Sequence, residues 1–255
     1  MADFDSFIIC TSPRSGSTLL CKLLAATGVA GLPQSYFHAP SIRSWQKALN
    51  VTSVPGEAES ITVGRIVASA ISAGTDNSDV FGLRLQQDSR EYFLKSLAVL
   101  HPQAASDKGR IVASFGKTAF IHLVRENKIE QAVSYVKAEQ TGLWHVAPDG
   151  TELERLSPPQ KPRYDSDALI SRYKKVVLHD QQWHQWLAAQ EITPKRVTYE
   201  ALSAQPTETL KEILQLLGAD KEAAEKVTPG VAKLADKTSA EWVARFQSEY
   251  ATQLA

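Results

Sequence analysis

The sequence of 255 residues contains two cysteines, no long apolar run and no excess of either charge. Cys10 and Cys21 fall on a predicted strand and a predicted helix, without the spacing of metal ligands or of a disulfide framework. We therefore expect buried thiols in a reducing, cytoplasmic environment. No apolar run reaches the roughly 18 residues of a membrane helix, and no basic region precedes a cleavable segment. We expect neither a signal peptide nor insertion into a membrane.

The charges of the chain balance, with 28 Lys and Arg against 28 Asp and Glu. General nucleic-acid binders and membrane-surface binders need a basic surface, which this composition does not favour. We therefore expect no nucleic-acid partner. Any anionic ligand has to be held by a local group of side chains and backbone N–H groups.

A buried strand, a polar turn and a helix follow one another near the start of the chain. Residues 7–10 form an apolar run typical of a strand in a parallel sheet, and residues 11–17 are polar with Pro13 and Gly16 as turn residues. The leucines that follow have helical spacing. The first N–H groups of such a helix are free, and the helix dipole favours an anion beside them.

Side-chain donors in the same turn strengthen the prediction of a phosphate-binding loop. Arg14 supplies a planar, charged donor, and Ser15, Ser17 and Thr18 supply hydroxyls. The loop lacks the lysine of G-x-x-x-x-G-K-[ST], and neither G-x-G-x-x-G nor G-x-S-x-G is present. An ordinary capped turn is the alternative interpretation.

Strands and helices alternate along the rest of the chain, with further strands predicted at 80–85, 118–124 and 194–199. This order predicts the α/β class with a mostly parallel central sheet. No repeat or linker divides the sequence, so we predict a single domain over residues 1–255. Residues 145–165 are polar and rich in proline, which predicts a flexible loop or lid.

Two more arginines lie within or directly after predicted strands. Arg84 either faces a ligand site or pairs with a carboxylate. Arg125 follows a strand, at the sheet edge where open α/β folds bind ligands. Together with Ser134 on the next helix, Arg125 is suited to a second anionic group. The alternative roles of Arg125 are a bond to a carbonyl or an ion pair with Glu126 or Glu130.

These motifs together resemble the Stf0-type bacterial sulfotransferases, which use 3′-phosphoadenosine 5′-phosphosulfate (PAPS). The loop at 11–20 (TSPRSGSTLL) resembles the 5′-phosphosulfate loop of sulfotransferases in general. The closer similarity to the Stf0 type comes from 31–37 (GLPQSYF), 138–144 (AEQTGLW), 197–202 (VTYEAL) and 241–246 (EWVARF). The resemblance extends over nearly the whole chain.

The resemblance implies a fold and an activity. The fold is a P-loop-like three-layer α/β/α sandwich with a central, mostly parallel sheet. The activity is transfer of a sulfuryl group from PAPS to a hydroxyl of a small acceptor, a carbohydrate such as trehalose or a related glycoside. The by-product is 3′-phosphoadenosine 5′-phosphate (PAP), no metal is needed, and the protein is a homodimer.

The resemblance also implies roles for individual residues. The 5′-phosphosulfate is expected on the loop, with Arg14 also catalytic; the loop residues are Pro13, Arg14, Ser15, Gly16, Ser17 and Thr18. The 3′-phosphate is expected on Arg125 and Ser134, with Lys233 as a further donor-binding residue. Candidate acceptor-binding residues are Gln34, Tyr36, Arg84 and Trp144. For Tyr36 the alternative is a place in the core.

Position 35 departs from the family pattern. The family has G-x-P-x-E-Y-F, in which the glutamate is the base, and this chain has Ser35. A base typically contributes about 10²–10⁴ in rate, and serine is not a base near neutral pH. His38 has a suitable ordinary pKa, but an extended segment points it away from the face of Ser35.

The sequence therefore leaves several functions open. The first is an active sulfotransferase, and the second is a catalytically impaired relative that binds PAPS or PAP. A nucleotide kinase on the same type of sheet is disfavoured because the lysine of its loop is missing.

Overall fold

The order of strands and helices along the chain follows the predicted alternation. The computed structural model describes residues 3–254, with side chains over residues 3–250. The strands are β1 (Ser6–Thr11), β2 (Phe81–Gln86), β3 (Thr118–Val124), β4 (Leu143–Val146), β5 (Glu152–Arg155) and β6 (Lys195–Thr198). The helices are α1 (Ser17–Ala26), α2 (Ile42–Ala48), α3 (Glu59–Thr75), α4 (Gln87–Leu100), α5 (Asp107–Phe115), α6 (Lys128–Thr141), α7 (Ser166–Ala189), α8 (Tyr199–Ala204), α9 (Pro206–Leu217) and α10 (Lys237–Leu254), with a 3₁₀ helix at Lys221–Lys226.

The central sheet is parallel, with its strands in the order β2–β1–β3–β6 among the described residues. In its register Ile8 of β1 lies between Leu83 of β2 and Phe120 of β3. Every residue of β1 is buried, as expected for a strand covered on both faces. Because the strands are parallel, the carboxyl ends of β1, β2 and β3 meet at one edge of the sheet.

Helices cover both faces of the sheet, which confirms the three-layer α/β/α sandwich. Ile8 and Cys10 point into a cluster with side chains of α3, α4, α5 and α7. Phe7 and Ile9 point the other way, into a cluster with α1, α8 and α9. Each fully buried apolar side chain of this kind stabilises the fold by about 1.5–3 kcal/mol. The alternation along β1 thus divides the core into two layers.

A third apolar cluster lies outside the sheet and connects the end of the chain to the site described below. Trp242 and Phe246 of α10 pack against Val133 and Val136 of α6 and Leu169 of α7. The aromatic residues of the segment at 241–246 are therefore core residues.

The two cysteines are free and buried, as the sequence predicted. Cys10 lies on β1 and Cys21 on α1, within the two core layers. Burial raises the pKa of Cys21 to about 11, and it also raises the pKa of Cys10. Both thiols therefore stay protonated near neutral pH.

Some elements differ from the prediction. Helix α4 begins directly after β2, with Gln87 as its first residue. Helix α5 was not predicted; Ser106 caps it by accepting a hydrogen bond from the N–H of Gly109. The segment 145–165, predicted as a loop or lid, includes the second half of an antiparallel hairpin formed by β4 and β5. Its flexibility stays a prediction.

Candidate functional site

A cavity of about 1640 Å³ opens at the carboxyl ends of β1, β2 and β3. It is lined by most of the residues that the sequence singled out, namely Pro13, Arg14, Gly16, Ser17, Thr18, Gln34, Ser35, His38, Arg84, Arg125, Ser134, Trp144 and Lys233. The predicted residues that do not line it are Ser15 and Tyr36. One cavity is therefore lined by Arg14, Arg84 and Arg125 together.

The loop between β1 and α1 adopts a backbone that few residues tolerate. Gly16 has a φ of +86°, and a Cβ at that position would lie 2.5 Å from the ring of Tyr199. Arg14 has a φ of +63°, which is uncommon for a residue other than glycine. Gly16 is the N-cap residue of α1, and the helix has no side-chain cap hydrogen bond there. The first turn of α1 thus faces the cavity without a capping side chain.

Neighbouring elements hold this loop in place. Gln131 of α6 donates to the carbonyl of Pro13 at 2.7 Å and to the hydroxyl of Ser12 at 3.0 Å. Ser15 is fully buried, and its hydroxyl forms a 2.5 Å hydrogen bond with the hydroxyl of Thr11. The side chain of Ser15 therefore faces the interior of the sheet, and only its backbone is left for a ligand.

Arg14 connects the loop to α6 and β4. Its Nε donates to the hydroxyl of Ser134 at 3.0 Å, and its Nη1 donates to the carbonyl of Trp144 at 2.6 Å. Burial, followed by repulsion from Arg125, lowers the pKa of Arg14 to about 10. The guanidinium is therefore charged at neutral pH. The sequence grouped Ser134 with Arg125, whereas the structure places it in contact with Arg14.

Arg125 lies beneath the ring of Tyr199, with its guanidinium carbon 4.5 Å from the ring centroid. Its Nη2 donates to Glu130 at 2.7 Å, so the ion-pair alternative is the observed one. Its Nε is buried and has no partner among the described side chains. A buried donor without an acceptor is costly, and an anion in the cavity could satisfy it.

Arg84 of β2 forms hydrogen bonds with hydroxyls on two other segments. Its Nε donates to Ser35 at 2.7 Å, and its Nη1 donates to Thr18 at 2.9 Å. Ser35 is brought there because the N–H of Arg84 also donates to the carbonyl of Gln34 at 3.0 Å. Of the two roles that the sequence left open for Arg84, the structure shows the one in which it faces the site.

His145, which follows the candidate residue Trp144 in the chain, also lines the cavity. Its Nε2 lies 3.0 Å from the hydroxyl of Thr18 and 3.3 Å from Oε2 of Glu154. His145 and Glu154 are paired across the β4–β5 hairpin. No local pattern predicts the contact with Thr18, because the two residues are 127 positions apart.

The surroundings of His145 favour the neutral imidazole. Burial is the main cause of a pKa lowered to about 4, followed by the charges of Arg14, Arg84 and Lys22. A neutral imidazole has one nitrogen that can accept a proton. In the tautomer with its hydrogen on Nδ1, Nε2 is that nitrogen, and it faces the hydroxyl of Thr18.

The remaining candidates fall into two groups. Tyr36 belongs to the core, because its hydroxyl donates to the carbonyl of Leu32 at 2.6 Å and its ring packs 6.0 Å from that of Phe81. Its prediction as an acceptor-binding residue is therefore not supported by its position. Exposed residues at the cavity include Gln34, His38 and Lys233, whereas the ring of Trp144 packs edge-on against Tyr135.

Two further features are absent from the part of the chain that the structure describes, residues 3–254. No group of three or more His, Cys, Asp or Glu side chains in it is arranged to hold a metal ion. None of the helices in this part has the length and apolar content needed to span a membrane.

Comparison with known proteins gives a family match over most of the chain. The family model described as Stf0 sulphotransferase matches residues 6–249. A trehalose 2-sulfotransferase of Mycolicibacterium smegmatis is 26% identical over 261 residues, covering 96% of this chain and 95% of the relative. A trehalose 2-sulfotransferase of Mycobacterium tuberculosis is 27% identical over 267 residues, covering 95% and 94%.

Two solved structures also align with most of the chain. A sulfotransferase from Alicyclobacillus acidocaldarius has a TM-score of 0.47 and 14% identity, covering 98% of this chain and 96% of that one. The sulfotransferase domain of the Synechococcus PCC 7002 olefin synthase has a TM-score of 0.42 and 15% identity, covering 95% and 86%. Scores below 0.5 do not establish a shared fold, so the fold rests on the sheet topology.

Proposed function

The chain belongs to the Stf0 sulfotransferase family, and from this premise we propose that it transfers a sulfuryl group from PAPS to a hydroxyl of a small acceptor. The acceptor we propose is a carbohydrate such as trehalose or a related glycoside, because the relatives are named for trehalose. The observation that carries the proposal is the uncapped start of α1 beside Arg14, Thr18 and Arg84 in one cavity.

The residues present suit the donor. We assign the 5′-phosphosulfate to the first turn of α1, where Gly16, Ser17 and Thr18 offer N–H groups and hydroxyls. Arg14 supplies a charged donor beside them. We assign the 3′-phosphate to Arg125, whose buried Nε lacks an acceptor in the described chain.

Two further residues complete the proposed donor site. Ser134 lies in the same cavity but is bonded to Arg14, so its contact with the 3′-phosphate requires that bond to be exchanged. Lys233 is exposed at the cavity, where it is suited to a peripheral contact with the donor.

The proposed reaction is stabilised by the positive charges of arginine side chains that line the cavity. The acceptor oxygen attacks the sulfur, the bond between sulfur and the bridging phosphate oxygen breaks, and PAP leaves with the bonding electrons. The hydroxyl proton passes to a base. In this proposal Arg14 and Arg84 stabilise the negative charge that develops on the leaving phosphate and the sulfuryl oxygens, a form of stabilisation that often gives large rate effects. We assign this stabilisation to the arginines and to no metal ion.

A catalytically impaired relative is the second candidate function. It is favoured by Ser35, which stands where the family pattern has its base and accepts a hydrogen bond from Arg84. Such a protein would bind PAPS or PAP in the same loop and transfer no sulfuryl group.

The test combines binding and turnover. Calorimetry with PAP is expected to show saturable binding at one site per chain, and ³⁵S-labelled PAPS is expected to label an alcohol in a panel that includes trehalose and simple glycosides. Binding without transfer to any acceptor would favour the impaired relative. Absence of PAP binding would overturn both candidates.

We further propose that the protein acts as a homodimer in the cytoplasm. The dimer is implied by resemblance to the family, and the two buried free thiols suit a reducing compartment. Light scattering after size-exclusion chromatography is expected to give twice the 28.0 kDa chain mass. Fractionation of cells that express the protein tests the compartment.

A further inference from the structure

We propose that His145, supported by Glu154, is the general base that removes the proton of the acceptor hydroxyl, in the role that Ser35 cannot fill. The inference deepens the proposed sulfuryl transfer and rests on it. It concerns residues of the β4–β5 hairpin, which the family pattern does not mark as the base.

The position of His145 carries the argument. Its Nε2 is 3.0 Å from the hydroxyl of Thr18, a residue of the first turn of α1. The same hydroxyl is 2.9 Å from Nη1 of Arg84, which in turn bonds Ser35. A chain of three hydrogen bonds, through Thr18 and Arg84, therefore connects the imidazole nitrogen to Ser35, the position of the expected base.

The other histidine of the cavity is less suited. His38 is exposed, and the hydrogen bond recorded for it is formed by its backbone carbonyl with the hydroxyl of Ser89. It has no contact that holds its imidazole toward Thr18. A base has to lie within hydrogen-bond reach of the proton it removes, and His145 satisfies that condition for a hydroxyl beside the loop.

Glu154 supplies the partner that the protonated base needs. Its Oε2 is 3.3 Å from Nε2 of His145, and the hairpin register holds the two residues opposite each other. When the acceptor hydroxyl gives its proton to Nε2, the imidazolium forms next to this carboxylate. The oxygen–sulfur bond forms, the bond to the leaving phosphate breaks, and the proton remains on His145 until solvent removes it after product release.

We expect His145 to become a stronger base when the donor binds, because the donor changes the charges around it. The groups that face it are Arg14 from the loop, Thr18 and Lys22 from α1, Arg84 from β2 and Glu154 from β5. Burial and the three cations lower the pKa of His145 to about 4. The phosphates of the donor offset the cations, so the pKa rises when PAP or PAPS binds.

The first experiment compares variants in ³⁵S transfer and in calorimetry with PAP. H145Q is expected to lower kcat by about 10²–10⁴, the usual contribution of a base, while the Kd for PAP stays within about threefold. E154Q is expected to lower kcat less, by about tenfold, and to flatten the acid limb of the pH–rate profile. H184Q changes an exposed histidine of α7 outside the cavity and is the matched control.

The outcomes separate this inference from the proposed function. PAP binding with unchanged turnover in H145Q overturns the inference alone, as does loss of turnover in H38Q with turnover retained in H145Q. A wild-type protein that binds PAP but transfers to no acceptor overturns the inference and favours the impaired relative. A wild-type protein that does not bind PAP overturns the proposed function together with the inference.

A second measurement does not need turnover. Proton NMR of the wild-type protein follows the imidazole resonances with pH, and the resonance of His145 is identified by its absence from an otherwise matching H145Q spectrum or by selective labelling. We expect its midpoint to rise by at least one pH unit when PAP is added. A midpoint that PAP leaves unchanged overturns the inference.

Discussion

The cavity has two halves that are built in different ways. The donor half, the part that we propose binds PAPS, consists of Arg14, Gly16, Ser17 and Thr18 on one turn, with Arg125 at the next strand end. The proposed acceptor half consists of Ser35, Arg84, His145 and Glu154, which come from a loop, β2 and the β4–β5 hairpin. The donor loop depends on local backbone conformation, whereas the acceptor half depends on distant segments that pack together.

This difference bears on what a single substitution can do. A change in the donor loop alters the backbone that presents its N–H groups, so the site loses several contacts at once. In the acceptor half the residues come from separate segments, with Arg84 on β2 and His145 on the β4–β5 hairpin. The presence of serine instead of glutamate at position 35 therefore leaves Arg84 and His145 in place. A catalytic group can then be supplied from another segment.

The largest expected effect is at Arg14, which connects the loop before α1 to α6 and β4. R14M removes a charged donor and its bonds to Ser134 and Trp144, and charge-assisted bonds contribute about 1.5–3 kcal/mol each. We expect the Kd for PAP to rise about 100-fold or more in calorimetry and transfer to be lost. R196M, which changes an exposed arginine of β6, is the control. Wild-type affinity in R14M would contradict the assignment of Arg14.

The next effect tests the backbone of the donor loop. G16A adds a Cβ that meets the ring of Tyr199 at 2.5 Å, whereas a Cβ at Gly28, with a similar φ of +70°, meets nothing within 4 Å. Both variants incur about 1–2 kcal/mol for the left-handed backbone. We expect G16A alone to weaken PAP binding, by at least about tenfold, and to be the less stable variant in urea. Equal affinities for PAP in the two variants would show that the ring of Tyr199 moves aside without displacing the loop.

A smaller effect is expected at Ser35, which belongs to the acceptor half. S35A removes one acceptor from the guanidinium of Arg84, and because water in the open cavity can replace that hydroxyl, turnover is expected to change by about fivefold or less. S35E places a carboxylate beside Arg84 and is expected to raise kcat by less than tenfold, because His145 already acts as base. A gain of about 10² or more would favour the impaired relative.

The smallest effect concerns stability and pH. The pKa of His145 is lowered from 6.5 to about 4, so between these values the unfolded chain binds a proton that the folded protein does not. The contribution of the neutral His145 to the free energy of unfolding is therefore complete above pH 6.5, and it is lost as the pH falls toward 4. We expect the urea midpoint to fall from pH 7 to pH 5, and to fall less in H145Q. An equal fall in both proteins would assign the effect to other groups.

Much of the donor half could be predicted because its signals are local. An apolar strand, a turn with Gly16 and a helix with Arg14 at its start define the loop through sequence neighbours alone. The side-chain direction of Ser15 could not be predicted in the same way, because it depends on Thr11 turning its hydroxyl toward the carbonyl of Leu123 on β3.

The acceptor half was predicted only in part. Arg84 was recognised because a charge inside an apolar strand is unusual, but its partners were not. Tyr36 was expected at the acceptor, and it packs instead against Phe81, because the core beneath β2 has room for its ring. His145 carries no local signal, since the hairpin that positions it was predicted as part of a loop.

The sequence by itself determined the class of fold and the place of the turn that we propose binds the anion, because hydrophobic periodicity and turn residues act over a few positions. Only the tertiary structure decided which side chains meet in the cavity. Ser134 contacts Arg14, and His145 contacts Thr18, across 120 and 127 positions of the chain. Such contacts depend on how α6 and the hairpin pack against the sheet, and the free energy of that packing is shared among many residues.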